Sequence, residues 1–259
     1  MKAPPLRIVP RRIQERPSGE TGLVVGVVIA ATERNLRTSE LMTLDRKSIL
    51  DQLARLKAKD PGFKNFGALV HQYELYQPVL ESEVAAFETR HGISLPHAYR
   101  YFVTQIGNGG AGPHYGLFPF NYHDDLRGYI KWEDGYMVGD LAIEFPHRES
   151  WNLPQEFWDE MPNPEPGIPF EEQDRMNEEW NAKLEKHYWN PVVINGAIPV
   201  SHLGCARRQW LVISGSQKGF VWSDERGDYQ GLSPLLDEYE QQVTFSAWYL
   251  SWLFESLQS

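Results

Sequence analysis

Residues 204–234 have the sequence GCARRQWLVISGSQKGFVWSDERGDYQGLSP and decide the fold. Two runs rich in β-branched and aromatic residues, 208–214 and 220–223, are separated by a loop that begins and ends with glycine, which predicts a β-hairpin. Residues 95–110 (LPHAYRYFVTQIGNGG) carry apolar side chains at helical spacing and predict a helix that ends at Gly107. Neither segment contains a catalytic constellation, and both are typical of a scaffold that presents a surface.

Helices surround these two segments. Apolar residues recur at helical spacing over 49–56, 80–91 and 244–257. Short aromatic and β-branched stretches between residues 109 and 151 alternate with turn residues, as in an antiparallel meander. Helices, strands, one inserted helix, further strands and a final helix form an order that predicts an α+β fold with an antiparallel sheet and flanking helices.

The first 41 residues are expected to lie outside the folded domain. Four arginines precede an apolar stretch at residues 23–31, which is the order of regions in a secretory signal. Prolines and glutamates interrupt the charged region, and the apolar stretch is too short to span a bilayer. We therefore expect a poorly ordered arm or a misassigned start over residues 1–41, with a signal as the alternative, and a single domain over residues 42–259.

Charge is unevenly distributed along the chain. The formal net charge is −10, which argues against non-specific nucleic-acid binding and fits a basic partner. Residues 133–185 hold fifteen Asp and Glu residues against three Lys and Arg residues, a local net charge of −12. This segment lies in an extended middle insertion, about residues 133–190, in which a proline-rich loop (152–169) precedes a predicted helix (170–188).

The predicted helix over residues 170–188 is the main candidate site. Met176, Trp180, Leu184 and Tyr188 recur every four residues and form a narrow apolar stripe on an otherwise charged helix. The charged face is either solvated or an acidic docking surface with Trp180 as its aromatic anchor, and a general acid–base site is the weakest interpretation. The candidate partner-binding residues are Glu171, Glu172, Asp174, Glu178, Glu179 and Trp180.

The remaining polar motifs give no enzyme signature. His123, Asp124 and Asp125 bring an imidazole and two carboxylates together, but a metal site of this kind needs further ligands from other elements. The glycines at 107–110 follow a helix instead of leading into one, so a C-terminal cap is favoured over a phosphate-binding loop. The other histidines lack metalloprotease spacing. We therefore predict no catalytic residues, no metal and no cofactor.

Cys205 is the only cysteine of the chain, which excludes an internal disulfide and suits a reducing cytoplasm. It lies just before an apolar run at residues 210–213. We therefore expect a buried, inert thiol, with a reactive thiol as the alternative.

In combination and in order, these segments resemble the SUKH superfamily, the Smi/Knr-type domain. The resemblance covers about residues 42–259 and is weakest over residues 115–190. The motifs that carry it are Phe87-Glu88, Gly92-Ile93, Leu95-Pro96, Tyr99, Phe102, Asn108-Gly109-Gly110, Gly204-Cys205, residues 210–213, Gly219-Phe220-Val221-Trp222, Gly231-Leu232, and Phe245, Trp248, Tyr249, Trp252 and Leu253.

The resemblance implies a curved antiparallel sheet and, as a rule, no enzymatic activity. Bacterial members are mostly immunity proteins that neutralise polymorphic toxins, often nucleases, and fungal members act in cell-wall synthesis and signalling through protein contacts. We therefore expect a cytoplasmic immunity protein that binds a cognate toxin domain with a basic surface, without a nucleic-acid or membrane partner. The alternatives are a regulatory scaffold in cell-wall synthesis or signalling and, least favoured, a hydrolase that uses His123, Asp124 and Asp125.

Overall fold

Seven α-helices and six β-strands are present in the described part of the chain. This computed structural model describes residues 43–125, 128–132 and 138–258, so the expected arm over residues 1–41 lies outside the described residues. The helices are α1 (Arg46–Lys59), α2 (Ala68–His71), α3 (Glu81–His91), α4 (His97–Tyr101), α5 (Gln155–Trp158), α6 (Phe170–His187) and α7 (Phe245–Gln258). The strands are β1 (Tyr122–Asp125), β2 (Gly128–Lys131), β3 (Ala197–Gly204), β4 (Arg207–Val212), β5 (Val221–Asp224) and β6 (Leu232–Pro234).

Strands β3 to β6 form one antiparallel sheet in which neighbouring strands follow chain order. Trp210 of β4 lies opposite Trp222 of β5, and Trp222 lies opposite Pro234 of β6. The sheet is open, with β3 and β6 as its edge strands, and β1 and β2 form a separate hairpin. The predicted α+β fold with an antiparallel sheet is therefore confirmed.

Both faces of the four-stranded sheet are covered. Leu211 belongs to the main core, to which helices α1, α3, α4 and α7 contribute, whereas its neighbours Trp210 and Val212 belong to a second core. Because successive strand residues point to opposite faces, these two cores lie on the two sides of β4. The second core also contains Phe145 and Ile194, which come from the middle of the chain.

The final helix fills the centre of the main core with aromatic rings. The Phe245 ring lies 5.2 Å from the Tyr99 ring and 5.6 Å from the Phe102 ring. The Tyr249 ring lies 4.7 Å from Phe102, and its hydroxyl donates to the Ala111 carbonyl oxygen at 3.1 Å. The prediction of a deeply docked final helix is therefore confirmed.

Helix α3 ends as predicted and begins one residue later than predicted. Gly92 has a φ of 64°, and its backbone N–H donates to the carbonyl oxygens of Glu88 and Thr89, as in a glycine C-cap. Leu80, expected to start the buried stripe, is exposed because it is the N-cap residue before Glu81.

The aromatic stretches between residues 115 and 145 pair less regularly than the predicted meander. Leu117 makes only isolated bridges, to Gly110 and Ser201. The segment 141–145 forms no strand; the Phe145 N–H donates to the Ser214 carbonyl oxygen, and its ring enters the second core. Around Leu117 and over residues 141–145, packing of single side chains therefore replaces regular strand pairing.

Cys205 is exposed, which corrects the expectation of a buried thiol. Cys205 and Ala206 form the two-residue turn between β3 and β4, and their φ values are 50° and 62°. Two left-handed residues are what a tight hairpin turn requires. Because the turn projects beyond the paired strands, the Cys205 side chain reaches solvent instead of the apolar run that follows it.

We expect Trp222→Ala to destabilise the fold by about 3–5 kcal/mol, because the side chain is fully buried and its removal leaves a large cavity. Trp222→Phe is the matched control. It should cost less, since it keeps most of the ring and the buried Nε1 has no hydrogen-bond partner among the described residues. Urea unfolding measures both changes, and equal losses would contradict the assignment of the stability to ring volume.

Candidate protein-binding surface

Helix α6 lies against the domain through the predicted apolar stripe. Trp180, Leu184 and Tyr188 form a buried cluster with side chains of the preceding loop and α5. The Trp180 ring lies 5.0 Å from the Phe157 ring and 6.2 Å from the Trp158 ring. The stripe therefore attaches α6 to the rest of the protein and leaves the opposite side of the helix in solvent.

Trp180 is only 7% exposed, so its burial does not fit the expected role of an anchor displayed for a partner. A side chain that anchors a partner has to be accessible in the free protein. The structural alternative fits instead, because the ring is covered by Phe157 and Trp158 of the same domain. Trp180 holds α6 in place.

The acidic side chains of the candidate site share the solvent-facing side of α6. One of them, Glu172, forms an ion pair with Arg175 at 2.8 Å one helical turn away, and both side chains are half-exposed or more. An exposed pair of this kind adds little stability. The exposed acidic residues of the candidate site are Glu171, Glu172, Asp174, Glu178 and Glu179.

Phe170 adds an apolar group to this surface and was not expected from the sequence. It is the first residue of α6, follows Pro169, and is 76% exposed. Phe170 lies 18 residues before Tyr188, five full helical turns, so spacing alone would place it in line with the buried stripe. Its exposure depends on tertiary packing and could not have been expected from the sequence. We define the acidic face as Phe170 together with Glu171, Glu172, Asp174, Glu178 and Glu179, which are five of the six exposed acidic residues of α6.

A buried ion pair fixes the C-terminal end of α6 to the sheet. Arg226 Nε donates to Asp224 Oδ1 at 2.9 Å and Arg226 Nη2 donates to Asp224 Oδ2 at 2.7 Å, with both side chains 1% exposed. Arg226 Nη1 donates to the carbonyl oxygen of Tyr188, the C-cap residue of α6, at 3.0 Å. Trp210 Nε1 donates to Asp224 Oδ2 at 3.0 Å. We call these four residues the ion-pair clamp.

Aromatic packing reinforces the clamp around Tyr188. Its hydroxyl accepts a hydrogen bond from the Gly231 N–H at 3.0 Å, and its ring stacks on Trp151 at 5.8 Å. Burial raises the pKa of Tyr188 to about 12, so the hydroxyl stays protonated at neutral pH. The Arg226 guanidinium lies 5.0 Å from the centre of the Trp189 ring. The acidic face is thus carried by a helix whose position is set by buried contacts.

His71 and His147 lie in different parts of the domain. Burial lowers the pKa of His71 to about 4, and it also lowers the pKa values of His114 and His147. His71 lies on α2, whereas His147 Nε2 lies 2.8 Å from the Val193 carbonyl oxygen next to the second core. Among the side chains that the structure describes, which do not include those of His123, Asp124 and Asp125, no group of three or more His, Cys, Asp or Glu residues is placed to hold a metal ion.

The residues of the hydrolase hypothesis lie on the β1–β2 hairpin. Backbone pairing sets Asp124 opposite Tyr129 and His123 opposite Ile130. The side chains of His123, Asp124 and Asp125 lie outside the described part of the structure.

None of the described helices is both long and apolar enough to cross a bilayer.

An α+β domain that displays an acidic helical face is the class of protein that these observations define. The model of the SMI1 / KNR4 family (SUKH-1) matches residues 78–242, more than half of the chain, and the chain belongs to this family. Comparisons with curated proteins and with solved structures find no match. The resemblance inferred from the sequence is therefore confirmed. The matched residues include α3 to α6 and all six strands, whereas α1, α2 and α7 lie outside the match and still contribute to the main core.

We expect Arg226→Met to destabilise the protein by about 3–5 kcal/mol, because it leaves the Asp224 carboxylate buried without a cation. Arg207→Met is the matched control. Arg207 lies 3.7 Å from Asp228 in a largely exposed pair, so its loss should cost at most about 1 kcal/mol. Chemical unfolding measures the two free energies. Similar losses in both variants would show that the buried pair has no special role.

Proposed function

We propose that this protein is a non-enzymatic binding module that acts as an immunity protein. In this proposal it binds a cognate toxin domain in one-to-one complexes and blocks the toxin's active site. The observation that carries the proposal is the acidic face of α6, which is solvent-exposed on a firmly held helix of a SUKH-1 domain. The single-cysteine composition suits the reducing cytoplasm in which such a protein would meet its toxin.

The charge of the acidic face supports a basic partner. Residues 133–185 have a local net charge of −12, whereas the formal net charge of the whole chain is −10. The rest of the chain is therefore nearly neutral. Nuclease active sites are rimmed by basic residues because they hold phosphates. Opposite charges on two approaching proteins accelerate their encounter and exclude acidic competitors. A toxin domain with a basic active-site rim is therefore the partner that this surface fits best.

The geometry of α6 supports a mechanism of occlusion. Five carboxylates and the Phe170 ring project from one helix, and the ion-pair clamp with the Trp180 stripe holds that helix before any partner arrives. A preformed surface loses little conformational freedom on binding, which favours tight association. Phe170 would enter an apolar recess of the toxin while the carboxylates pair with its basic rim.

We expect the double reversal Glu178→Lys and Glu179→Lys to slow association with the cognate toxin domain, and to make binding less sensitive to salt. The control is the double reversal Glu238→Lys and Glu240→Lys, which changes the net charge equally at two exposed positions before α7. Stopped-flow association rates at low and high salt measure the difference. Equal slowing by both pairs would mean that only the overall charge matters, and no slowing would remove the acidic face from the interface.

We expect Phe170→Ala to speed dissociation of the complex and to weaken binding by about 2 kcal/mol or more, because an exposed aromatic anchor is lost. The melting temperature should stay unchanged. Trp180→Ala should show the opposite pattern, with a lower melting temperature from the loss of a buried ring. Surface plasmon resonance and thermal melting of both variants test the assignment. Unchanged affinity in Phe170→Ala would contradict it.

Immunity and scaffold functions are separated by an activity assay. An immunity protein abolishes the toxin's activity when the two are present in equal amounts. Complete binding with the toxin still active would instead support a regulatory scaffold. Metal-dependent turnover by this chain, lost in His123→Ala, would support the hydrolase hypothesis and overturn the proposal.

A further inference from the structure

Residues 66–70, which include most of helix α2 and lie before the family-matched region, display three large apolar side chains. Phe66, Leu69 and Val70 are 63%, 71% and 60% exposed, and all three lie within a stretch of five residues. Clustered exposure of this kind marks an interaction surface more often than scattered apolar residues do. We call these three residues the apolar knob.

Hydrogen bonds to Asp60 and a close backbone approach at Gly67 fix the conformation of the segment that carries the apolar knob. The Asp60 carboxylate accepts hydrogen bonds from the backbone N–H groups of Lys64 and Asn65, at 2.8 and 3.1 Å, and from the Tyr73 hydroxyl at 2.9 Å. Gly67 has a φ of 78°, and a Cβ at this position would lie 1.6 Å from the His114 carbonyl oxygen. The knob is therefore preformed, and these contacts keep its side chains from folding back into the core.

The Phe66 ring also packs against another aromatic ring of the domain. It lies 5.0 Å from the Tyr115 ring, which stacks on His202 of β3 at 4.8 Å. Ala68, between the exposed residues of the knob, is fully buried in the main core. The knob is therefore attached to buried residues of the domain, and it lies on the side of the sheet that the main core covers.

The segment that precedes the knob in the sequence, which we call its basic flank, is positively charged, in contrast to the acidic chain as a whole. Residues 55–64 (RLKAKDPGFK) contain four basic residues and one acidic residue. Lys57 forms an ion pair with Glu74, and Lys59 donates to the Leu257 carbonyl oxygen, while all four basic side chains are exposed. The four basic residues are Arg55, Lys57, Lys59 and Lys64.

The same chain carries a surface complementary to the knob. The acidic face of α6 combines five exposed carboxylates with the exposed Phe170 ring. The buried side of α6 contributes Trp180, Leu184 and Tyr188 to a cluster that adjoins the second core through Trp151, so α6 lies on the other side of the sheet from the main core. The knob of one molecule is therefore placed to meet the acidic face of another molecule, not its own.

We propose that the apolar knob of one molecule docks on the acidic face of a second copy of this chain. The contact would be head-to-tail, with the basic flank of the knob against the carboxylates of α6 and the apolar side chains against Phe170. A head-to-tail contact leaves one knob and one acidic face unused, so the assembly grows with protein concentration. This contact uses the same acidic face that is proposed to bind the toxin, so the two partners would compete for it, and the test below is made without a toxin.

Light scattering of the full chain over a range of concentrations tests the proposal. We expect the wild-type mass to rise above the 29.9 kDa of one chain as concentration increases, and to return to that value in high salt. Leu69→Glu should remain monomeric, and so should the double variant Glu178→Lys and Glu179→Lys. Leu80→Glu is the matched control, because Leu80 is similarly exposed at 66% but lies outside the knob, and it should behave as wild type.

Mixing the two monomeric variants gives the sharpest result. Leu69→Glu keeps an intact acidic face and the double Lys variant keeps an intact knob, so a mixture can form one productive contact and no more. The expected species has twice the 29.9 kDa chain mass and does not grow further. Melting curves confirm that each variant is folded, and Val70→Glu replaces Leu69→Glu if that variant is not.

Three results would overturn the proposal. The first is a wild-type protein that is monomeric at every concentration in low salt. The second is a mixture of the two variants that stays monomeric. The third is an equal effect of Leu80→Glu and Leu69→Glu, which would show that any added charge dissolves the assembly.

Discussion

One buried ion pair, Asp224 with Arg226, holds the structure together, because its hydrogen bonds join strand β4, strand β5 and the end of helix α6. Removing two charges from water is costly, and the cost is offset only where the geometry and the remaining hydrogen bonds are complete. Here Asp224 accepts from Arg226 and from the Trp210 indole, and Arg226 reaches the last carbonyl of α6 at Tyr188. A cation at this end of a helix is also favoured by the helix dipole. The clamp thus ties β4, β5 and α6 into one arrangement.

The clamp has a consequence for the sheet and for the surface. Because α6 and its aromatic cluster adjoin the face of the sheet opposite the main core, both faces are buried, and β4 ends in a continuous apolar run from Trp210 to Val212. Strands buried on both faces have this composition. In the part of the chain that the structure describes, the outer side of α6 is not covered, and its carboxylates and Phe170 are exposed. Burial on one side of the helix and charge on the other are two results of the same packing.

Local periodicity predicted those parts of the fold that a single element determines. The final helix, the C-cap at Gly92 and the apolar stripe of α6 were predicted because the spacing of side chains along one helix or one turn specifies them. The exposure of Cys205 was not, because burial depends on where the strand ends and the turn begins. A run of apolar residues next to a cysteine does not determine that boundary.

The candidate site was predicted in part for the same reason. The sequence identified the acidic residues of α6 and their stripe, but it did not specify which side of the helix meets the domain. That choice is made by Phe157 and Trp158, which cover Trp180, and by Arg226, which sits in a polar segment (SDERGD) with the composition of an exposed turn. Phe170 was overlooked because an apolar residue at a helix start is not distinguished by spacing alone from one that is buried. Tertiary contacts, not propensity, decided these positions.

The central claim is that the acidic face of α6 is the surface that a basic protein partner covers. Carboxylate footprinting tests it most directly: a carbodiimide couples an amine label to exposed carboxylates, and mass spectrometry measures labelling at each residue with and without the toxin domain. We expect labelling of Glu171, Glu172, Glu178 and Glu179 to fall in the complex, while labelling of Glu238 and Glu240 stays unchanged. Unchanged labelling along α6 in a fully formed complex would show that the partner binds elsewhere.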